Sequence, residues 1–218
     1  MKIIAINGSP RKNGNTATLL KRLVEGAESQ NAQTQTVNLY DLDFKGCRSC
    51  FACKLVGGKS YGKCAVNDGL MPVLRSIEQA DALVLGTPVY WSGETGVMRS
   101  FLERLQFQYM LYDKAHTAIT PKKISTALVF TMNVTEDEAK QLQYDRIFRT
   151  IAGRLQHIFG ESQVLLSYNT YQFDDYGKYE TSAFNAGNKA RQRDEVFPID
   201  KEKAYRLGVS LATAKAGE

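Results

Sequence analysis

The chain has 218 residues, 43% of them hydrophobic and 23% charged, the composition of an ordinary globular protein with one core. Its formal charge of +5 comes from Lys and Arg scattered among 23 acidic residues, which is not the clustered basic face of a nucleic-acid binder. Lys2 followed by four apolar residues is too short for a signal-peptide core, and no run approaches the roughly 18 apolar residues of a membrane span. A cytoplasmic location is therefore expected, with neither nucleic acid nor membrane as partner.

In chain order, Lys2–Ile6 reads as a short strand, and Thr16–Glu28 as a helix with Leu19, Leu20, Leu23, Val24 and Ala27 on one face. Thr34–Tyr40 reads as a second strand and Asp68–Gln79 as a second helix. Ala82–Gly86 is a continuous apolar strand of the kind buried on both faces in a parallel sheet. Gly96–Gln106 reads as a helix, with Val97, Phe101, Leu102 and Leu105 inward, and Ser125–Thr131 as a buried strand. Thr135–Glu138 forms a capping box predicted to open one long helix ending at Gly160. Gln163–Tyr168 is the fifth strand and Lys201–Lys215 the last helix, with Ala204, Leu207, Gly208, Leu211 and Ala212 on one side.

Strict alternation of strand and helix predicts an α/β fold: a doubly wound, five-stranded parallel sheet of order 2-1-3-4-5 with helices on both faces. Residues 1–218 read as a single domain carrying a cysteine loop at 44–67 and a C-terminal extension over 170–218. Three connections, 44–67, 107–122 and 168–200, exceed ordinary lengths and are candidates for function or subunit contact.

In open α/β sheets ligands bind outside the carboxyl ends of the strands, where strand order reverses. Here that crevice is flanked by the loops after the first and third strands. The first, Asn7-Gly8-Ser9-Pro10-Arg11-Lys12-Asn13-Gly14-Asn15-Thr16, contains neither G-x-G-x-x-G nor G-x-x-x-x-G-K-[ST]. Gly58-Lys59-Ser60 also fails as a phosphate loop, because Cys53 occupies the first glycine position and no strand precedes it. The first loop runs into a helix N-terminus, whose unpaired N–H groups favour an anion. Ser9, Asn15 and Thr16 can donate to phosphate oxygens and Arg11 can pair with their charge; a solvated turn capped by Asn or Thr is the alternative. The second loop, Gly86-Thr87-Pro88-Val89-Tyr90-Trp91-Ser92-Gly93, sets the chain's one Trp beside a Tyr at the crevice. Together the two loops suit a planar ring with a phosphorylated tail.

Asn-Gly-Ser-Pro-Arg-x-x-Gly-Asn-Thr after the first strand and Thr-Pro-Val-Tyr-Trp after the third resemble the NADPH-dependent FMN reductase family of flavodoxin-like proteins. The segment from Gly46-Cys47 to Cys64 resembles the iron–sulfur flavoprotein branch. The resemblance implies FMN as cofactor, with Ser9, Arg11, Asn13, Asn15 and Thr16 at its phosphate. Pro88, Val89, Tyr90, Trp91, Ser92 and Gly93 would line its isoalloxazine ring, and topology adds Thr131, Met132 and Asn133 as a third wall. It implies an oxidoreductase passing hydride from NAD(P)H to FMN and on to a quinone, flavin or other small acceptor. The hydride chemistry then belongs to the cofactor, consistent with the lack of any catalytic triad or acid pair in the sequence.

Cys47, Cys50, Cys53 and Cys64 are spaced C-x2-C-x2-C-x10-C. In a reducing compartment a metal or redox role outranks a disulfide framework. The first three resemble a ferredoxin run, but Cys64 follows a ten-residue spacer and precedes Ala65 rather than Pro. A [4Fe–4S] cluster, a zinc ion and free thiols all remain open. A cluster would make the protein an electron carrier with a redox protein partner; a flavin-binding redox sensor is a further alternative. His116 and His157 read as structural or exposed. The aromatics of Phe107–Tyr112 mark either the contact of a homodimer or higher homo-oligomer or solvated loop packing, and the Tyr-rich stretch 168–179 either lids the flavin or packs on the sheet edge. Lys189–Glu195 reads as a solvated turn.

Overall fold

In a computed structural model of the protein, residues 1–214 are described; Lys215, the expected end of the last helix, lies outside them. The elements are β1 (Lys2–Asn7), α1 (Asn15–Glu28), β2 (Gln33–Asn38), α2 (Met71–Glu78), β3 (Ala82–Pro88), α3 (Gly96–Tyr109) and β4 (Ser125–Thr131), then α4 (Glu136–Gln141), α5 (Tyr144–Phe159), β5 (Ser162–Ser167), α6 (Ala186–Arg191) and α7 (Phe197–Thr213). The five strands form one sheet of order β2-β1-β3-β4-β5, every pair parallel. This is the expected order, and its reversal between β1 and β3 opens a crevice at their carboxyl ends.

Successive side chains of a strand point to opposite faces, so the central strands divide their residues between two cores. Ile4, Ile6, Leu83, Leu85, Leu128 and Phe130 pack toward α2, α3 and α5. Ile3, Ala5, Val84, Ala127 and Val129 pack toward α1 and α7. The edge strand β2 is mostly polar, consistent with one open edge and a wet face. Among the described residues no helix is long and apolar enough to cross a membrane.

Three expectations need correction. The long helix predicted from Thr135 to Gly160 is two helices, because Gln143 adopts a left-handed φ of 55° between α4 and α5. The Thr135 capping box does open α4, with Glu138 closing the reciprocal bond. The second helix starts at Met71 rather than Asp68, whose carboxylate accepts the Leu70 N–H and faces Arg104. The predicted solvated turn at Lys189–Glu195 is helical: α6, a π-helical stretch over Gln192–Val196 and α7 follow without a break. Charge-rich composition hid this segment, since its one buried contact is made by a lysine.

Helices α1 and α7 touch backbone to backbone. A Cβ built on Gly208 would lie 1.9 Å from the Leu23 carbonyl oxygen, and one on Gly26 2.0 Å from that of Tyr205. An alanine in a helix interior gains about 1 kcal/mol over glycine, but here it must push two helices apart. Gly208→Ala is therefore expected to lower the unfolding free energy by about 1–3 kcal/mol, measured by urea denaturation as a lower midpoint at unchanged slope.

Candidate functional site at the carboxyl edge of the sheet

The chain leaves β1 through a set of small polar contacts that shape the first loop. Asn7, 1% exposed, accepts the Ser9 N–H on Oδ1 at 3.0 Å and donates from Nδ2 to Asn38. The Arg11 N–H donates to Ser9 Oγ at 3.2 Å. Gly8 N–H donates to the Gly86 carbonyl, and the Thr95 hydroxyl, N-cap of α3, donates to the Gly8 carbonyl at 2.7 Å. The loops after β1 and β3 are thus tied to one another by short bonds.

Helix α1 starts at this loop with no side-chain cap and no acidic residue in its first turn. Its first backbone bond runs from Thr18 N–H to Gly14 O, so the amides of Asn15, Thr16 and Ala17 are not spent within the helix. Such amides, with the positive end of the helix dipole, form an anion site. A cavity of about 110 Å³ lies there, lined by Ser9, Arg11, Gly14, Asn15 and Thr16, by Pro88, Val89 and Tyr90, by Thr131, Met132 and Asn133, and by Thr170 and Gln172. It has room for a phosphate and adjoining atoms; a flavin ring would extend along Pro88–Tyr90 at the open side. The donor set, unspent amides with one guanidinium and several hydroxyls, fits the phosphate of FMN.

Most of the residues expected at this site are brought together. Asn13 is exposed and does not line the cavity, nor do Trp91, Ser92 and Gly93. Trp91 and Ser92 form the tip of a tight turn in which Tyr90 and Gly93 exchange both backbone bonds. Both tip residues are left-handed, with φ of 47° and 63°, and Trp91 is fully exposed at the crevice rim. Non-glycine residues held in this region cost energy and cluster at ligand loops.

Segment 168–179 settles over the first loop rather than on the sheet edge. Arg11 Nη1 donates to Gln172 O and Asn15 Nδ2 to Tyr171 O, each at 2.8 Å. Thr16 shares a 2.7 Å hydroxyl contact with Thr131, joining the first loop to the end of β4. Beyond β4, each carbonyl has its own donor. Val89 N–H serves Thr131, Thr170 N–H serves Met132 and Asn169 N–H serves Val134. The Asn133 carbonyl is served instead by the side chain of Lys189. Burial lowers the Lys189 ammonium to a pKa of about 8, with Glu138 opposing.

The cysteine loop folds against α3. Arg104, on the buried face of that helix, bonds Asp68 at 2.5 Å together with the carbonyls of Lys45 and Val66, so it clasps both ends of the loop. Lys54 donates to the carbonyls of Phe107 and Met110 at the C-terminal end of α3, where the helix dipole welcomes a cation. Cys47, Cys50, Cys53 and Cys64 all line one small cavity with Arg104 and Gln108. The Ala52 N–H pulls the Cys50 thiol below its ordinary range. Burial pushes Cys53 up; Lys54 opposes that shift, while Cys64 and Cys47 reinforce it.

Among the described residues no three Cys, His, Asp or Glu side chains converge closely enough for a single metal ion. Gln108, 1% exposed, accepts the Cys64 N–H on Oε1 at 2.8 Å, and its Nε2 has no acceptor; Arg104 Nε has none either. Buried donors without acceptors require an explanation. Four thiols and two unspent donors line this cavity of about 20 Å³; the donor set has the chemistry of a sulfide-bridged cluster, whose sulfurs accept hydrogen bonds. Composition alone did not reveal Arg104 and Gln108. Their spacing from Phe101 places both on the inward stripe of α3, where a polar residue is a signal.

A larger cavity, about 750 Å³, lies elsewhere, between Cys47, Ser49, α3 and α5, and shares no residue with the crevice. His157 stands at its edge, its Nε2 2.7 Å from the His116 carbonyl.

The crevice geometry and the sequence of its two loops define a flavin-binding member of the doubly wound α/β class. The model of the NADPH-dependent FMN reductase family matches residues 1–130, and the chain belongs to that family. It is 34% identical over 110 residues to an iron-sulfur flavoprotein of Archaeoglobus fulgidus, covering 50% of this chain and 51% of that protein. With an iron-sulfur flavoprotein of Methanocaldococcus jannaschii it shares 30% identity over 122 residues, 55% of this chain and 61% of the other. The chain thus spans about half the length of the curated relatives it matches. Its fold superposes on an NAD(P)H:quinone oxidoreductase from Methanothermobacter marburgensis with a TM-score of 0.73 at 13% identity, over 99% of this chain and 98% of the other.

Proposed function

We propose that the protein is an FMN-dependent oxidoreductase that draws on reduced nicotinamide and serves a small acceptor such as a quinone or free flavin. The observation that carries this reading is the uncapped start of α1, whose free amides face the Pro88–Tyr90 loop across the switch point. When bound, FMN supplies hydride acceptance from the nicotinamide and onward delivery to the acceptor. The chain's own residues bind and orient it. The amides of Asn15, Thr16 and Ala17 and the guanidinium of Arg11 hold the phosphate. Pro88, Val89 and Tyr90 line the ring, and the Tyr171–Gln172 strap covers the phosphate and keeps water from it. The patch of Phe51, Phe107 and Tyr112, two of them well exposed, is the proposed contact of a homo-oligomer.

A second reading is favoured by the shared cysteine cavity and its unspent donors: Cys47, Cys50, Cys53 and Cys64 hold a [4Fe–4S] cluster, which supplies one-electron transfer to a redox partner. Arg104 and Lys54 would then hold the loop in place and offset the negative charge of the ligating thiolates.

Two measurements test these readings. The Arg11→Ala, Thr16→Ala double variant is expected to lose FMN affinity by about 100-fold, read by quenching of flavin fluorescence; undiminished affinity contradicts the phosphate placement. For the cysteines, anaerobically purified protein is expected to carry iron and acid-labile sulfide, and Cys53→Ala to lose both while keeping its flavin. Wild-type protein free of iron after anaerobic reconstitution rejects the cluster.

A further inference from the structure

Lys189 lies outside the family match, in a segment whose composition suggests a surface turn, yet it is 2% exposed. Its Nζ lies 2.5 Å from the Asn133 carbonyl oxygen and 2.7 Å from Asn133 Oδ1, and 5.1 Å from the centre of the Phe184 ring. Those contacts occupy the ammonium: two oxygens of one residue and one aromatic face. The nearby carboxylate of Glu138 is engaged by Thr135 in the capping box. A buried cation is costly, and here both of its hydrogen bonds go to a single residue of the crevice wall.

The chemistry of the contact fixes the side-chain amide. Lysine offers donors only, so Asn133 must turn its oxygen toward Nζ and leave its NH2 group as the free end. That NH2 has no acceptor among the described residues, and Asn133 lines the crevice cavity. The neighbouring carbonyls of Thr131, Met132 and Val134 are all held by backbone donors, so this wall is rigid. We propose that Lys189 is a positioning residue of the flavin site: it holds the Asn133 amide so that its NH2 donates to a carbonyl or ring nitrogen on the edge of the isoalloxazine. This rests on the FMN reading above and adds to it a residue contributed by the C-terminal segment.

The test is a double-mutant cycle on FMN affinity, measured by fluorescence quenching on apoprotein, with thermal unfolding of each apoprotein alongside. Lys189→Met and Asn133→Ala are each expected to weaken FMN binding by about tenfold, and the double variant no more than Asn133→Ala alone. Asn133→Asp tests whether the NH2 group is needed. Its carboxylate keeps the Lys189 contact and the apoprotein's stability, but it offers no NH2, so FMN affinity falls by at least tenfold. If the losses of the two single variants multiply in the double, or if Asn133→Asp or Lys189→Met binds FMN as wild type does, the inference is overturned while the flavin reading stands. If wild type itself refuses FMN, both are overturned. Should Lys189→Met fail to fold, the Asn133→Asp result decides.

Discussion

The architecture depends on a helix that begins with its hydrogen-bond donors unspent. Ordinarily a Ser, Thr, Asp or Asn side chain satisfies the first amides of a helix. At α1 the N-cap is Gly14, and no side chain performs that task. An uncapped start is a standing cost that an anionic ligand can offset, and the sheet sets this start at the reversal of strand order, where such a ligand has access. The bonds among Asn7, Ser9, Gly8 and Thr95 fix the shape of the loop, so the proposed anion site is held by the chain's own contacts.

The same device recurs at the cysteine loop with different chemistry. Arg104 clasps the two ends of a long irregular segment, and Lys54 anchors its middle on the end of α3. A loop of this length with no more than a 3-10 turn at Ala52–Lys54 would be expected to wander. Buried Arg104 and half-buried Lys54 hold it so that its four thiols line one cavity, and they supply positive potential where thiolates would gather. The third wall of the crevice follows the same logic, with Lys189 as the cation and Asn133 as the residue it fixes.

Much of this was legible in the sequence because it is written in local patterns. The buried runs Ala82–Gly86 and Ser125–Thr131 announced a parallel sheet, and the loops after β1 and β3 carried the residues that meet at its edge. What escaped was decided by tertiary contact. Lys189 sits in a run of mixed charge with no periodic signal, and only the fold turns it inward. Gln143 carries no mark of the left-handed turn that divides α4 from α5. Thr170 and Gln172 belong to a segment whose sequence allowed either a lid over the flavin or an edge packing, and bonds from Arg11 and Asn15, 161 and 156 residues away from their acceptors, set it against the first loop. Asn13, Trp91, Ser92 and Gly93 were placed by motif, and the motif does not distinguish residues that line the cavity from those on its rim.

The most direct test of the central claim is to watch the α1 amides while the ligand binds. In a titration of isotope-labelled apoprotein with FMN followed by amide NMR, the resonances of Asn15, Thr16 and Ala17 should shift together with those of Val89 and Tyr90. Shifts confined to the groove between α3 and α5, or none at the start of α1, would contradict the account.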